Sequence, residues 1–240
     1  MLVAFALALP THVAAQFNTR LAAETERAFD VYREAAEAQL DWHARVTSGR
    51  KPGDITILPI NKGAIEVKDG LVHDWVAATL APNTTPEKVV ALLQNYNGYQ
   101  TIYRPDVTDA KVLDRDGDSW HVSLHLVRKA VLTARFNGEF KVEYHPLGDG
   151  RWSVISRSTR LAELDGDREL APGSGQGFLW RLNAYWLIEP RPDGVYLECR
   201  SLSLSRSIPA GLGWLVKPFV TSVPKDSLRD TMQATLRALG

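Results

Sequence analysis

Between Val107 and Arg206 the chain offers six strand-like runs, each set off from the next by a turn signal. Val107 to Leu113 ends at Asp114-Arg115-Asp116-Gly117-Asp118, a hairpin turn with Asp-Gly at its centre. In Ser119 to Arg128, Trp120, Val122, Leu124 and Leu126 alternate with His121, Ser123 and His125. Val131 to Tyr144 alternates more cleanly, with Phe136, Phe140, Val142 and Tyr144 facing away from Arg135, Asn137, Glu139, Lys141 and Glu143. Arg151 to Leu164 follows the turn Pro146 to Gly150. Phe178 to Ile188 puts Phe178, Trp180, Leu182, Trp186 and Ile188 on one face, and Pro190 to Gly194 turns into Val195 to Arg206. This is a meander of antiparallel hairpins.

The helical patterns lie around that meander. Asn18 to about Ser48 is rich in Ala, Glu and Arg, with Leu21, Phe29, Tyr32, Ala36 and Leu40 near the 3.6 period, and Gly49, Pro52 and Gly53 stop it. Ile55 to Val67 reads as extended and Leu71 to Leu80 as a strand. Thr85 then stands at an N-cap with Pro86 at the first helical position, and Val89, Leu92, Leu93 and Tyr96 form the buried stripe. Tyr99 to Tyr103 is a second short helical piece. Ala210 to Leu239 is helical by pattern, interrupted by Pro218 and Pro224, with Leu228, Met232, Leu236 and Leu239 on one stripe. Helices gathered at one side of an antiparallel sheet make an α+β architecture.

Composition excludes several function classes. The 240 residues carry 28 Lys+Arg against 28 Asp+Glu, so no basic excess exists to neutralise phosphates, and nucleic acid is not an expected partner. A hydrophobic share of 45% is that of a folded domain rather than a disordered chain. Residues 1–15, MLVAFALALPTHVAA, have an apolar run from Leu2 to Leu9 and end in the small residues Val13-Ala14-Ala15. That run is about half a membrane span, so it reads as an export signal, although no Lys or Arg precedes it. The expected division is a signal at 1–15, a helical extension at 16–52 and one domain at 53–240, in a periplasmic or secreted protein with no integral membrane segment after signal removal. Cys199 is the lone cysteine, so it forms no intrachain disulfide and packs in the core.

The element order resembles the helix-grip fold of the START, polyketide cyclase and Bet v 1 superfamily (SRPBCC) over about residues 65 to 240. The wording of Gly177-Phe178-Leu179-Trp180-Arg181-Leu182-Asn183-Ala184-Tyr185-Trp186 and of Ser203-Leu204-Ser205-Arg206-Ser207-Ile208-Pro209 looks like START-like proteins of bacteria. The resemblance implies a curved sheet wrapped around the C-terminal helix, with a cavity between them that takes a lipid, fatty acid, quinone or polyketide-like molecule. It carries no catalytic signature, and it implies no role for the N-terminal helix, which covers a sheet face or meets a protein partner.

Under that resemblance Trp120, Phe136, Phe140, Tyr144, Trp180 and Trp186 line the cavity from the sheet, and Phe219 and Met232 supply the helix wall. A ligand burying about 400 Å² of apolar area would gain on the order of 10 kcal/mol before entropic costs, so no charged cofactor is needed. The bland reading of the same aromatics is a filled core. Arg151 to Leu164 and Val195 to Arg206 lack a clean apolar face. An inward Arg160 or Arg200 would need a ligand head group or a carboxylate such as Glu198 or Glu163.

Other chemical signals are weak. His121 and His125 lie about 13 Å apart along one strand face, too far to share a metal. His73 and Asp74, as strand neighbours, point to opposite faces and make a poor base-and-orienter pair. No zinc-protease, nucleophile-elbow, Walker or paired-cysteine motif occurs. The polar stretch Asp165 to Gly177 reads as a loop over the cavity mouth. The leading expectation is therefore a non-enzymatic carrier or sensor without cofactor or metal. A cyclase, dehydratase or hydrolase-type enzyme and a structural protein with a filled core stand as the alternatives.

Overall fold

The computed structural model describes residues 18–40, 51–129, 133–208 and 222–240. The export signal expected at 1–15, and Phe219 with Pro218, lie outside the described residues. The described residues begin with β1 (Thr19–Arg20) and α1 (Ala23–Ala38), then form β2 (Thr56–Val67) and β3 (Gly70–Ala81). After α2 (Pro86–Gln94), a 3-10 turn at Tyr96–Gly98 and α3 (Tyr99–Ile102) come β4 (Val107–Asp116), β5 (Ser119–Lys129), β6 (Thr133–Gly148) and β7 (Arg151–Asp165). Two short strands, β8 (Arg168–Glu169) and β9 (Ser174–Gly175), precede β10 (Arg181–Arg191), β11 (Gly194–Arg206) and α4 (Val223–Leu239).

One antiparallel sheet runs in the order β2-β3-β11-β10-β7-β6-β5-β4, with β8 paired to the end of β7. Each hairpin joins neighbours, except that β10 pairs back onto β7 and β11 closes against β3. The curved sheet, with α4 held on its inner face, is the α+β helix-grip architecture expected from the element order. Thr85 caps α2 as the sequence indicates, accepting a hydrogen bond from the Lys88 N–H.

Two apolar clusters sit on opposite sides of the sheet. The larger one lies between the inner face and α2, α3 and α4. The smaller one joins Phe29 of α1 to Val72, Trp180, Tyr185, Leu202 and Leu204 on the outer face. Cover on both faces explains why β3 and β11 are buried almost throughout and show no alternation.

The N-terminal segment differs from the long helix its composition predicts. Thr19 and Arg20 are extended, because their backbone pairs with Gly175 and Ser174 of β9, and α1 runs from Ala23 to Ala38, while the expected stretch 41–48 lies outside the described residues. Side chains anchor it to the sheet: Tyr32 donates to Asp74, Glu37 takes Arg157 and Tyr185, and Glu26 meets Arg181. Of the two roles open to this helix, covering a sheet face is the one the structure shows.

β2 has a break in register between Pro59 and Ala64. Gly63 adopts φ 82° there, and a Cβ on it would stand 2.4 Å from the Trp75 ring, so this bulge has room for glycine only.

Candidate ligand-binding cavity

Cross-strand register builds the inner face in rows. Tyr144, Val154, Trp186, Cys199 and Ala77 stand opposite one another across five strands. The next row is Val142, Ser156, Ala184, Ser201 and Trp75, and beyond it Leu182, Ser203 and His73. Since alternate residues share a face, these rows look towards α4. The helix answers with Val223, Ser227, Thr231 and Ala234, yet sheet and helix do not touch throughout. A cavity of about 690 Å³ lies between them. Such a volume is in the range of small-molecule pockets.

A group of phenols closes part of the wall. Tyr96 donates to the Tyr144 hydroxyl at 2.9 Å, and Tyr144 donates in turn to the Leu93 carbonyl at 2.9 Å. Tyr99 reaches the same carbonyl at 2.6 Å. Tyr103 bonds Thr235 of α4 at 3.2 Å, whose hydroxyl donates to the Thr231 carbonyl. Each hydroxyl hydrogen is used, so these side chains are fixed in place. Burial pushes the Tyr96 phenol up to about 12 and raises Tyr99, Tyr103 and Tyr144 as well, which keeps all four neutral.

Among the described residues, the charged ones at the cavity are all at least partly exposed. Arg104 and Asp106 precede β4, Arg128 and Lys129 end β5, and Asp230 and Arg237 lie on α4. Arg128 Nη1 stands 2.7 Å from both Asp106 and Asp230, tying the three segments together. The interior wall is aliphatic and aromatic, relieved by a few hydroxyls and by His73.

The residues expected at the cavity divide into several groups. Phe136, Phe140, Tyr144 and Trp186 border it. Trp120 stands behind the wall, its ring 5.7 Å from that of Tyr96 and 5.8 Å from that of Tyr144, with Arg115 stacked on it. Met232 is fully buried in the main core beside the cavity-lining turn of α4. Phe219 lies outside the described residues.

Trp120 and Met232 therefore stand off the lining they were expected to form, and three further placements differ from the expectation. Trp180 belongs to the outer cluster beneath α1, not to the face of Phe178 and Trp186. The period of two does not reach it, because β10 starts only at Arg181 and Gly177 (φ 73°) turns the chain just before. Arg160 is on the outer face, where it meets Glu169 and approaches Glu139. Arg200 is also outward, buried under α1, and its carboxylate is Asp74 rather than Glu198 or Glu163. Glu198 instead accepts from Tyr196 at 2.6 Å.

Glu163 has a different task. Its Oε2 accepts the N–H groups of Gln176 at 2.9 Å and Gly177 at 3.2 Å, so it clasps the loop that leads to Phe178 and Leu179 in the cavity wall. Burial raises its carboxyl to about 7 against the pull of those N–H groups and of Arg206.

The sequence reading missed the wall made by Tyr99 and Tyr103, and it missed His73. The tyrosines carried a usable signal, since successive spacings of three (Tyr96 to Tyr99) and four (Tyr99 to Tyr103) bring all of them to one side of a helical turn.

No protein-family model matches the sequence, and no curated protein does. Solved structures do. The lipid transfer and protein localization domain of human StarD13 matches with a TM-score of 0.53 at 11% identity, over 92% of this chain and 99% of that one. Human STARD10 matches with a TM-score of 0.52 at 11% identity, over 91% and 82%.

This chain has a START fold. A STAR-related lipid transfer protein from Xanthomonas axonopodis is a further START match, 18% identical over 76% of this chain and 98% of that one, with a TM-score of 0.47. The Zhui aromatase/cyclase from a Streptomyces species matches with a TM-score of 0.45 at 14% identity, over 71% of this chain and 93% of that one. At these identities the likeness is one of fold. No described helix is long and apolar enough to cross a membrane, and the described residues hold no cluster of three or more His, Cys, Asp or Glu suited to a metal.

Proposed function

We propose that this protein binds a hydrophobic small molecule in its internal cavity, as a carrier or sensor of a lipid, fatty acid, quinone or polyketide-like compound. The observation that carries this reading is a cavity of about 690 Å³ whose interior wall is apolar while its charged residues stand at the rim. An apolar ligand there exchanges water for close-packed side chains, and transfer of about 400 Å² alone supplies on the order of 10 kcal/mol before ordering costs. The lipid transfer domain of human StarD13, with the same fold, agrees with this assignment. Acid–base catalysis is less well supported. The titratable groups of the interior wall are held neutral, with Tyr96 up at about 12 and His73 down at about 4.

Titration with diphenylhexatriene, which fluoresces only in apolar surroundings, tests the reading. Saturation near one probe per chain, reversed by a long-chain fatty acid or a quinone, is the expected result. A chain that shows no saturable uptake would overturn it.

A further inference from the structure

The loop that ends in the cavity wall is held by three other segments. Glu163 of β7 accepts the N–H groups of Gln176 and Gly177. Arg206 of β11 donates its backbone N–H to the Gly177 carbonyl at 2.8 Å and its Nη1 to the Gln176 carbonyl at 3.1 Å. From the N-terminal segment, β1 pairs with β9 and the Leu21 N–H reaches the Gly173 carbonyl at 2.7 Å. A Cβ on Gly175 would stand 2.7 Å from Glu163 Oε2, so the loop packs directly on the carboxyl group. Phe178 and Leu179 follow at once and line the cavity.

Register places this clasp at the charged mouth. Glu163 stands opposite Phe136 and Phe136 opposite Leu126, both cavity residues, and the Arg128–Ala134 pair lies two residues further along. Release of the loop would therefore loosen the same mouth that Arg128 ties.

The clasp is sensitive to one proton. Glu163 is 7% exposed, so its carboxyl has lost the water that it would regain on a released loop. Among the described residues, the charges that act on it are Arg206, which favours the ionised form, and Asp165 of its own strand, which opposes it. The other elements bring uncharged groups: β6 faces it with Phe136, and β1 sets Thr19 against Gly177. Burial outweighs Arg206 and the two N–H groups, so the closed form keeps its proton up to about pH 7, against an ordinary value of 4.5. The closed loop binds the proton more tightly than the open one, and loss of the proton favours opening.

We infer that Glu163 is a proton-dependent latch: segment 170–179 stays on the cavity wall while the carboxyl is protonated and lifts when it ionises, so the mouth opens more readily in alkaline than in acidic solution. The latch stands on the clasp itself, and its effect on ligand exchange rests on the carrier reading.

Hydrogen exchange followed by mass spectrometry, corrected for the intrinsic rate, reads the opening. Protection of 170–179 should be lower than that of β6 and should fall about tenfold between pH 6 and pH 8. In Glu163→Gln, which keeps an acceptor oxygen but cannot ionise, it should not change. Release of diphenylhexatriene should speed up by a similar factor in the unaltered protein only. Protection independent of pH in the unaltered protein, or an equal fall in the variant, would overturn the latch and leave the carrier reading intact. Protection as high as that of β6 would mean that the segment opens only with the whole domain, and would also overturn it. Falling protection beside a release rate flat in pH would overturn the link to the mouth. Falling protection in a chain that takes up no diphenylhexatriene would keep the latch and overturn the carrier reading.

Discussion

Arg200 closes on Asp74 as a fork: Nε lies 2.8 Å from Oδ1 and Nη2 2.6 Å from Oδ2, with both side chains buried beneath α1. Tyr32 adds a hydrogen bond to Asp74, and the Arg200 Nη1 reaches the Ala36 carbonyl, so the pair joins the N-terminal helix to β3 and β11. Asp74→Ala strands a buried guanidinium and should cost about 3–5 kcal/mol in denaturant unfolding. The double variant Asp74→Leu with Arg200→Met should recover most of that loss. A single-variant cost under about 1 kcal/mol would show that the pair is solvated, contrary to the structure.

A second ion pair belongs to the cavity rim. Arg128 holds Asp106 and Asp230 together, but all three are partly exposed, so Arg128→Met should change stability by less than about 1 kcal/mol. Its effect should appear in exchange instead. Without the tie between β5 and α4, release of diphenylhexatriene in stopped-flow should speed up several-fold. An unchanged release rate would mean that ligands pass elsewhere.

Glu163 gives a pH signature. Its folded-state pKa of about 7 lies above the ordinary value of 4.5, so the folded chain holds a proton there that the unfolded chain has lost. This group therefore favours folding fully at low pH, and the benefit drains away as pH rises from about 4.5 through 7. Glu163→Gln keeps the acceptor without the charge. The variant should gain on the parent by about 2–3 kcal/mol between pH 5 and pH 8. His73, with its pKa lowered to about 4, acts in the opposite sense as pH falls below 6.5, and comparing variant with parent at each pH cancels it. A pH-independent difference would contradict the burial of Glu163.

These residues show where the sequence was legible. β6 could be read because only its inner face is buried: Phe136, Phe140, Val142 and Tyr144 alternate with exposed or half-exposed polar residues. Arg200 could not be placed, since its partner Asp74 is 126 positions away and no local pattern links them. β3 and β11 gave no alternation because α1 covers the second face. Trp180 was misplaced for a related reason: the turn at Gly177 ends the period before β10 begins. The gap between sheet and α4 is a matter of how far apart two elements stand in three dimensions, to which periodicity is blind.

Native mass spectrometry of the gently purified protein, set beside Phe140→Arg, tests the central claim most directly. Phe140 borders the cavity and is 3% exposed, so an arginine there must bring its charge into the apolar space. The account predicts one apolar adduct of lipid-like mass per unaltered chain, absent from Phe140→Arg. A bare mass from the unaltered protein that takes up no diphenylhexatriene, or an adduct retained undiminished by the variant, would contradict it.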